Sequence, residues 1–199
     1  MSKLGPIGAV LAGGRATRLG GDKARAQLAG RPLIAWPLAA LAEALDEVVV
    51  VAKRDTPLPP LPGVEVWIEP DRPSHPRVGI VTALERAGGR AVVVCAADMP
   101  LVTPALVSHL AEQPGSAVVF RAGGRLQPLL ARYDPAVLEA LRGAGPDVPL
   151  TEVVAGLGLA SSSSTTNGRS STSTRPRTWP RPRKNSPETP ENTPRRVNL

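Results

Sequence analysis

Two runs in this chain, Glu47–Ala52 (EVVVVA) and Ala91–Ala96 (AVVVCA), place apolar, mostly β-branched side chains at successive positions. Side chains of a strand alternate between two faces, so a strand apolar at every position must be covered on both. An open antiparallel sheet with one wet face is thereby excluded. Ile7–Ala12 (IGAVLA) reads the same way and stops at two glycines. Val64–Ile68 is a further strand, after a Pro-rich connection (TPLPPLPG) that cannot be helical. Helical patterns fall between these runs: Leu33–Leu45, with Pro32 placed to open its first turn, then Val78–Arg86 and Pro104–Glu112. Ala117–Phe120 and Gln127–Tyr133 read as later strands, followed by a helix over Pro135–Arg142. Solidly apolar strands alternating with helices predict an α/β fold, a three-layer α/β/α sandwich around a mainly parallel sheet. In such sheets ligands gather beyond the carboxyl ends of the strands. Two polar clusters fall there, GGRATRLGGDK after the first strand and ADMP after AVVVCA.

Charge has to be divided before it is interpreted. The 199-residue chain carries a net charge of +7, but residues 161–199 hold seven Arg and one Lys against two Glu. Residues 1–160 are close to neutral, with 16 basic and 15 acidic side chains. The basicity belongs to the tail, so overall charge is no argument for a nucleic-acid-binding body. From Ser161 the sequence turns to Ser, Thr, Arg and six prolines with almost no aliphatic residues, and it is expected to be disordered. The expected organisation is one folded domain over 1–160 and a Ser/Thr/Pro/Arg tail over 161–199. No window approaches eighteen unbroken apolar residues, and the N-terminal MSKLGPIGAVLAGG lacks the long apolar region of a signal peptide. The single cysteine, Cys95, cannot form an internal disulfide; together these features suit a cytoplasmic protein.

Glycines directly after a buried strand let backbone N–H groups approach a ligand, and a concave row of such groups beside cations suits a polyphosphate. In VLAGGRATRLGGDK, Arg15, Arg18 and Lys23 come within ten residues of the glycines. The bland reading is a glycine turn with solvated arginines. The stretch matches neither a Walker A loop nor the G-x-G-x-x-G dinucleotide pattern. Its wording, L-A-G-G-x-x-x-R-x-G-x-D-K, resembles the signature of nucleotidyltransferases that activate cofactor and sugar precursors. The nearest match among them is the molybdenum cofactor guanylyltransferase family, over roughly residues 7–147. That family joins GMP to molybdopterin on a Rossmann-like nucleotidyltransferase sheet.

The resemblance implies that Leu11, Ala12, Gly13 and Gly14 lie along the base and phosphates, with Arg15 a further phosphate contact. It implies that Arg18 and Lys23 neutralise the triphosphate and the departing pyrophosphate. The second glycine of L-A-G-G points to GTP, where cytidylyl relatives tend to carry L-A-A-G. In Ala97-Asp98-Met99-Pro100 a carboxylate ends a buried strand, a usual place to hold Mg2+ against phosphate oxygens. Asp98 could instead cap the next helix, although Thr103 before Pro104 is the better cap. The resemblance makes Asp98 the magnesium ligand. It also implies GTP and molybdopterin as substrates and contacts with molybdoenzymes or cofactor chaperones.

The match loosens in EPDRPSHPRVGIVTALE. Asp71 stands for the family's Asp, and Gly79 for the last glycine of its G-P-L-A-G, with Arg77 and Val78 in place of small residues. Val51 stands where the family tends to have a polar Asn, again near the base. His75 has no second ligand at a metal spacing and is expected to be a solvated loop residue; His109 is expected on a helix surface. In RLQPLLARY, Gln127 and Arg132 either touch the acceptor or simply face solvent.

The family ends with N-V-N-T-P-E-D-L and a helix, which this chain lacks. Shifting the reading by one base lets TSTRPRTW encode N-V-N-T-P-E-D-L, and SSSSTTNGRSS encode V-V-E-L-D-D-E-R-S-L-F. Residues from about 160 onward are thus expected to be a frameshift product, with the last strand and helix of the domain missing. A genuine basic tail is the alternative. For function, the alternatives are transfer from CTP or to another phosphorylated acceptor, an inactive nucleotide-binding remnant, and nucleic-acid binding through the tail.

Overall fold

The computed structural model describes residues 5–13, 25–157 and the backbone of 160–162. The chain divides into Met1–Asn167 and Gly168–Leu199, and every described residue belongs to the first unit. The elements in chain order are β1 (Ile7–Leu11), β2 (Gln27–Leu28), β3 (Arg31–Pro32), α1 (Ala35–Ala44), β4 (Val48–Ala52), β5 (Glu65–Ile68) and α2 (Pro76–Arg86). They continue with β6 (Val92–Ala96), α3 (Pro104–Glu112), β7 (Ala117–Ala122), β8 (Arg125–Tyr133), α4 (Leu138–Gly143), α5 (Leu150–Ala155) and β9 (Ala160–Ser162). A 3-10 turn over Pro135–Val137 leads into α4.

Seven strands form one sheet in the order β5-β4-β1-β6-β8-β7-β9. β5, β4, β1 and β6 run parallel, β8 returns antiparallel to β6 and β7, and β9 lies parallel to β7. The valine runs feed two separate cores. Ile7, Ala9, Val49, Val51, Val92 and Val94 meet Ile80 and Leu84 of α2 and Leu141 of α4 on one face. Val10, Val50, Val93 and Cys95 meet Leu38 and Leu41 of α1 and Val107 and Leu110 of α3 on the other. This is the sandwich that the continuous apolar runs predict, since neither face of these strands meets water. At Gly8 a Cβ would lie 3.1 Å from Leu45 Cδ1 and 3.3 Å from Leu41, so α1 rides directly on the β1 backbone.

Two local expectations are corrected. Pro32 does not open α1. It pairs with Gln27 in a short hairpin whose turn residues, Ala29 and Gly30, both have positive φ, and the helix begins three residues later, at Ala35. β9 pairs its Ala160–Ser162 with Val118–Phe120, so the sheet extends two residues into the segment expected to be tail. The tail beyond Ser162, including the shifted-frame segment, lies outside the described residues. Thr103 caps α3 as expected, accepting a hydrogen bond from the Leu106 N–H at 3.3 Å, with Pro104 in the first turn. None of the described helices is long and apolar enough to cross a membrane.

Candidate active site

Four parallel strands end side by side. The Ala97 N–H donates to the Leu11 carbonyl at 3.1 Å, the Ala12 N–H to Val51 at 2.8 Å, and the Glu69 N–H to Ala52 at 2.9 Å. These bonds prolong the sheet ladder past the last paired residues of β6, β1 and β5. They place Leu11–Gly13 between Ala97-Asp98 on one side and Val51–Lys53 on the other. Leu11, Ala12 and Gly13 are half-buried, and Asp98 is exposed one residue beyond the Ala97–Leu11 bond. Leu11–Gly13 and Asp98 therefore follow the ends of neighbouring strands. Gly14, Arg15, Arg18 and Lys23 lie outside the described residues.

Against Gly13 sits a residue the sequence did not single out. Glu69, directly after β5, is only 6% exposed. A Cβ on Gly13 would fall 1.9 Å from its Oε1, and one on Gly79 would fall 2.9 Å from its Oε2 and 3.4 Å from Leu11 Cδ2. The carboxylate thus fills a slot that two glycines leave open. Lys53 approaches Oε1 to 3.4 Å and also donates to the carbonyls of Pro70 at 2.7 Å and Asp71 at 3.0 Å. Burial pushes the Glu69 carboxyl above its ordinary range, and the attraction of Lys53 offsets only part of that. A sequence signal did exist: Lys53 and Glu69 are opposite charges that each come directly after one of two adjacent parallel strands.

The other expected residues separate into two groups. Gly79 is buried in the first turns of α2, beside Glu69. Asp71 is exposed on the same loop. Gln127 is half-buried and pairs with Phe120 on the stretch of β8 that lies beyond its pairing with Cys95, toward the Asp98 end. Arg132 pairs with Val93 near the amino end of β6, and its guanidinium donates to the Gly115 carbonyl at 2.8 Å and lies 3.6 Å from Asp134. The antiparallel return of β8 carries Arg132 away from the strand ends where Asp98 lies.

His75 is half-buried rather than loop-solvated. It caps α2, its Nδ1 accepting the Arg77 N–H at 3.1 Å, and burial followed by the Arg77 charge lowers its pKa. Arg77, which stands in the family's small apolar pair, is buried and donates to the carbonyls of Ala144 at 2.8 Å and Gly145 at 3.0 Å. His109 is exposed on α3, as expected.

Among the described residues no three His, Cys, Asp or Glu side chains form a group able to enclose a metal. A strand-end carboxylate such as Asp98 does fit Mg2+, which keeps several waters and binds through one or two carboxylates plus substrate phosphates.

The MobA-like NTP transferase domain model matches residues 8–159. A probable molybdenum cofactor guanylyltransferase of Thermococcus gammatolerans is 40% identical over 144 residues, covering 68% of this chain and 73% of the relative. A molybdenum cofactor guanylyltransferase of Cereibacter sphaeroides is 34% identical, covering 68% and 72%. Among solved structures, molybdopterin-guanine dinucleotide biosynthesis protein A of Archaeoglobus fulgidus superposes with TM-score 0.65 at 24% identity, covering 79% of this chain and 83% of that one. A Mycobacterium tuberculosis protein solved in complex with manganese superposes with TM-score 0.64 at 17% identity, covering 82% and 89%. At these identities the superpositions support the fold.

Proposed function

Because the chain belongs to the MobA-like NTP transferase family, we propose that it transfers a guanylyl group from GTP to molybdopterin. The products are pyrophosphate and the guanine dinucleotide form of the cofactor, delivered to molybdoenzymes or their chaperones. One observation carries this reading, the hydrogen bond from Ala97 N–H to the Leu11 carbonyl. It joins the ends of β1 and β6, so that a nucleotide's phosphates can lie on the glycine bend while facing Asp98.

A phosphate oxygen of molybdopterin attacks the α-phosphorus of GTP in line, and the bond to the bridging oxygen of pyrophosphate breaks. No covalent enzyme intermediate is required, so no nucleophilic side chain is needed. The backbone from Leu11 to Gly14 orients the nucleotide, and Arg15, Arg18 and Lys23 balance the charge on the triphosphate and the leaving group. Asp98 would hold Mg2+, which when bound draws charge from the phosphate oxygens. Gln127, at the same end of the sheet, lies where it can contact the acceptor. A domain boundary near residue 160 and a frameshift origin for the tail beyond it belong to the same proposal.

The test is pyrophosphate release with each NTP, with and without molybdopterin, on the full chain. GTP with molybdopterin should be the productive pair. Lys23→Ala and Asp98→Asn should each lower turnover roughly 100- to 1,000-fold, the cost of removing one charge-stabilising group, with circular dichroism unchanged. Full turnover in either variant removes that residue from the mechanism, and release with CTP alone reassigns the donor.

A further inference from the structure

Between Val119 and Phe120 the β7–β8 ladder slips. One step along β7 moves the paired residue on β8 from Ala131 to Gln127, leaving Pro128, Leu129 and Leu130 without a partner on β7. This long bulge lies where β8 parts from β6, just past the pairing of Cys95 with Leu130, and so beside the strand end that leads to Asp98. The extra residues reverse a face. Ala131 and Tyr133 belong to the core under α2 and α4, and in an unbroken strand Gln127, an even number of positions away, would share it. Instead it lies opposite Phe120, which packs on the other core with Met99 and Val102, and directly opposed residues of an antiparallel pair point the same way. Leu126 bears out the reversal, since it stands an odd number of positions from Ala131 yet packs against the same core.

A side-chain bond holds the bulge. The Tyr133 hydroxyl donates to the Pro128 carbonyl at 2.8 Å, and both residues are buried. Five residues of extended strand would rise about 16 Å, beyond a tyrosine's reach, so this bond exists only with the bulge in place. β8 is an interior strand, where a proline is tolerated only at such an interruption. Burial raises the pKa of the hydroxyl, which therefore stays protonated and donating. For filling the core a phenylalanine would serve as well; the hydroxyl answers a buried carbonyl that the bulge has taken out of the ladder.

We propose that Tyr133 is a positioning residue for the acceptor: its hydroxyl locks the β8 bulge and thereby turns Gln127 to the face shared with Phe120 and Met99, at the Asp98 end of the sheet. This rests on the nucleotidyltransferase reading above and adds what aims its acceptor end. Tyr133 touches no substrate. Its backbone pairs with Val92 and Ala117 at the opposite end of the sheet, and it acts only through the register it fixes.

The experiment measures pyrophosphate release by the full chain, by Tyr133→Phe, by Gln127→Ala and by the double variant, with GTP and molybdopterin each varied in turn. Leu141→Val, in the same core as Tyr133, shows what loss of stability alone does. Melting curves establish that each variant is folded. In Tyr133→Phe, KM for molybdopterin should rise roughly 10- to 100-fold, the scale on which a slightly misplaced binding group is felt, while kcat and KM for GTP stay as in wild type. Gln127→Ala should do the same, and the double variant should be no worse than the worse single, because both remove one contact. A Tyr133→Phe that keeps the wild-type KM for molybdopterin, or that changes both KM values in parallel, overturns the proposal. So does a response no different from that of Leu141→Val. Additive losses in the double variant overturn the route through Gln127. A wild type that releases no pyrophosphate overturns the parent function, and this role with it.

Discussion

Gly13→Ala isolates the contact on which the site geometry turns. Gly13 is not in the left-handed region, so alanine fits its backbone, and the only objection is the added methyl group. That methyl would lie 1.9 Å from Glu69 Oε1 and 2.6 Å from Cδ, so the carboxylate must leave its slot. A glutamate can swing, and no rigid wall has to move. The cost is therefore loss of the contact with Lys53, about 1.5–3 kcal/mol for a charge-assisted interaction. Alanine returns about 0.4–1 kcal/mol by restricting the unfolded chain. The expected net destabilisation is about 1–2 kcal/mol, or a melting temperature lower by about 2–8 °C for a domain of this size.

The decisive measurement is a double-mutant cycle by urea denaturation without nucleotide. In a Glu69→Ala background the three atoms nearest to the methyl are gone, so Gly13→Ala should become neutral or stabilising by about 0.4–1 kcal/mol. The sign of the substitution should thus reverse. Additivity, with Gly13→Ala equally harmful in both backgrounds, would refute the reasoning and mean that Gly13 is glycine for some other reason.

Two more outcomes are expected from groups outside the site. Arg77→Met removes the guanidinium that ties α2 to the carbonyls of Ala144 and Gly145, and should destabilise the fold by about 2–4 kcal/mol; limited proteolysis should then cut faster between residues 143 and 149. The Cys95 thiol is fully buried, and burial pushes its pKa up to about 12. Alkylation of the native chain at pH 8 should therefore proceed only at the rate of unfolding, and iodoacetamide labelling that outpaces unfolding would show that the second core opens locally.

The strands β1, β4 and β6 were legible because burial on both faces writes itself as uninterrupted apolar runs, and α3 because Thr103-Pro104 is a start signal with one meaning. The β2–β3 hairpin was not. Each arm has two residues, too few to show a period, and Pro32 satisfies a strand edge as readily as a helix start. Strand direction was equally hidden, since periodicity assigns faces and not polarity. Arg132, open in the sequence between an acceptor contact and a solvent-facing strand position, is carried by the antiparallel return of β8 away from the strand ends where Asp98 lies. Glu69 escaped because charged residues at strand ends are usually solvated. Its burial depends on Gly13, Gly79 and Lys53, which come together only once β5, β4 and β1 are adjacent.

That adjacency separates stability from chemistry. The ladder bonds at Leu11, Val51 and Ala52 are held by valines with no exposure on β4 and β6, and none of that burial involves Asp98. Removing Asp98 should therefore leave the framework intact. Glu69 is different, because its charge is buried within the framework and its neighbours have given up side chains to admit it. A group built in this way cannot be exchanged alone. Replacing Glu69 would require new partners for Lys53 and new bulk at Gly13 or Gly79, whereas exposed or half-buried residues such as Asp71 and Gln127 can change one at a time.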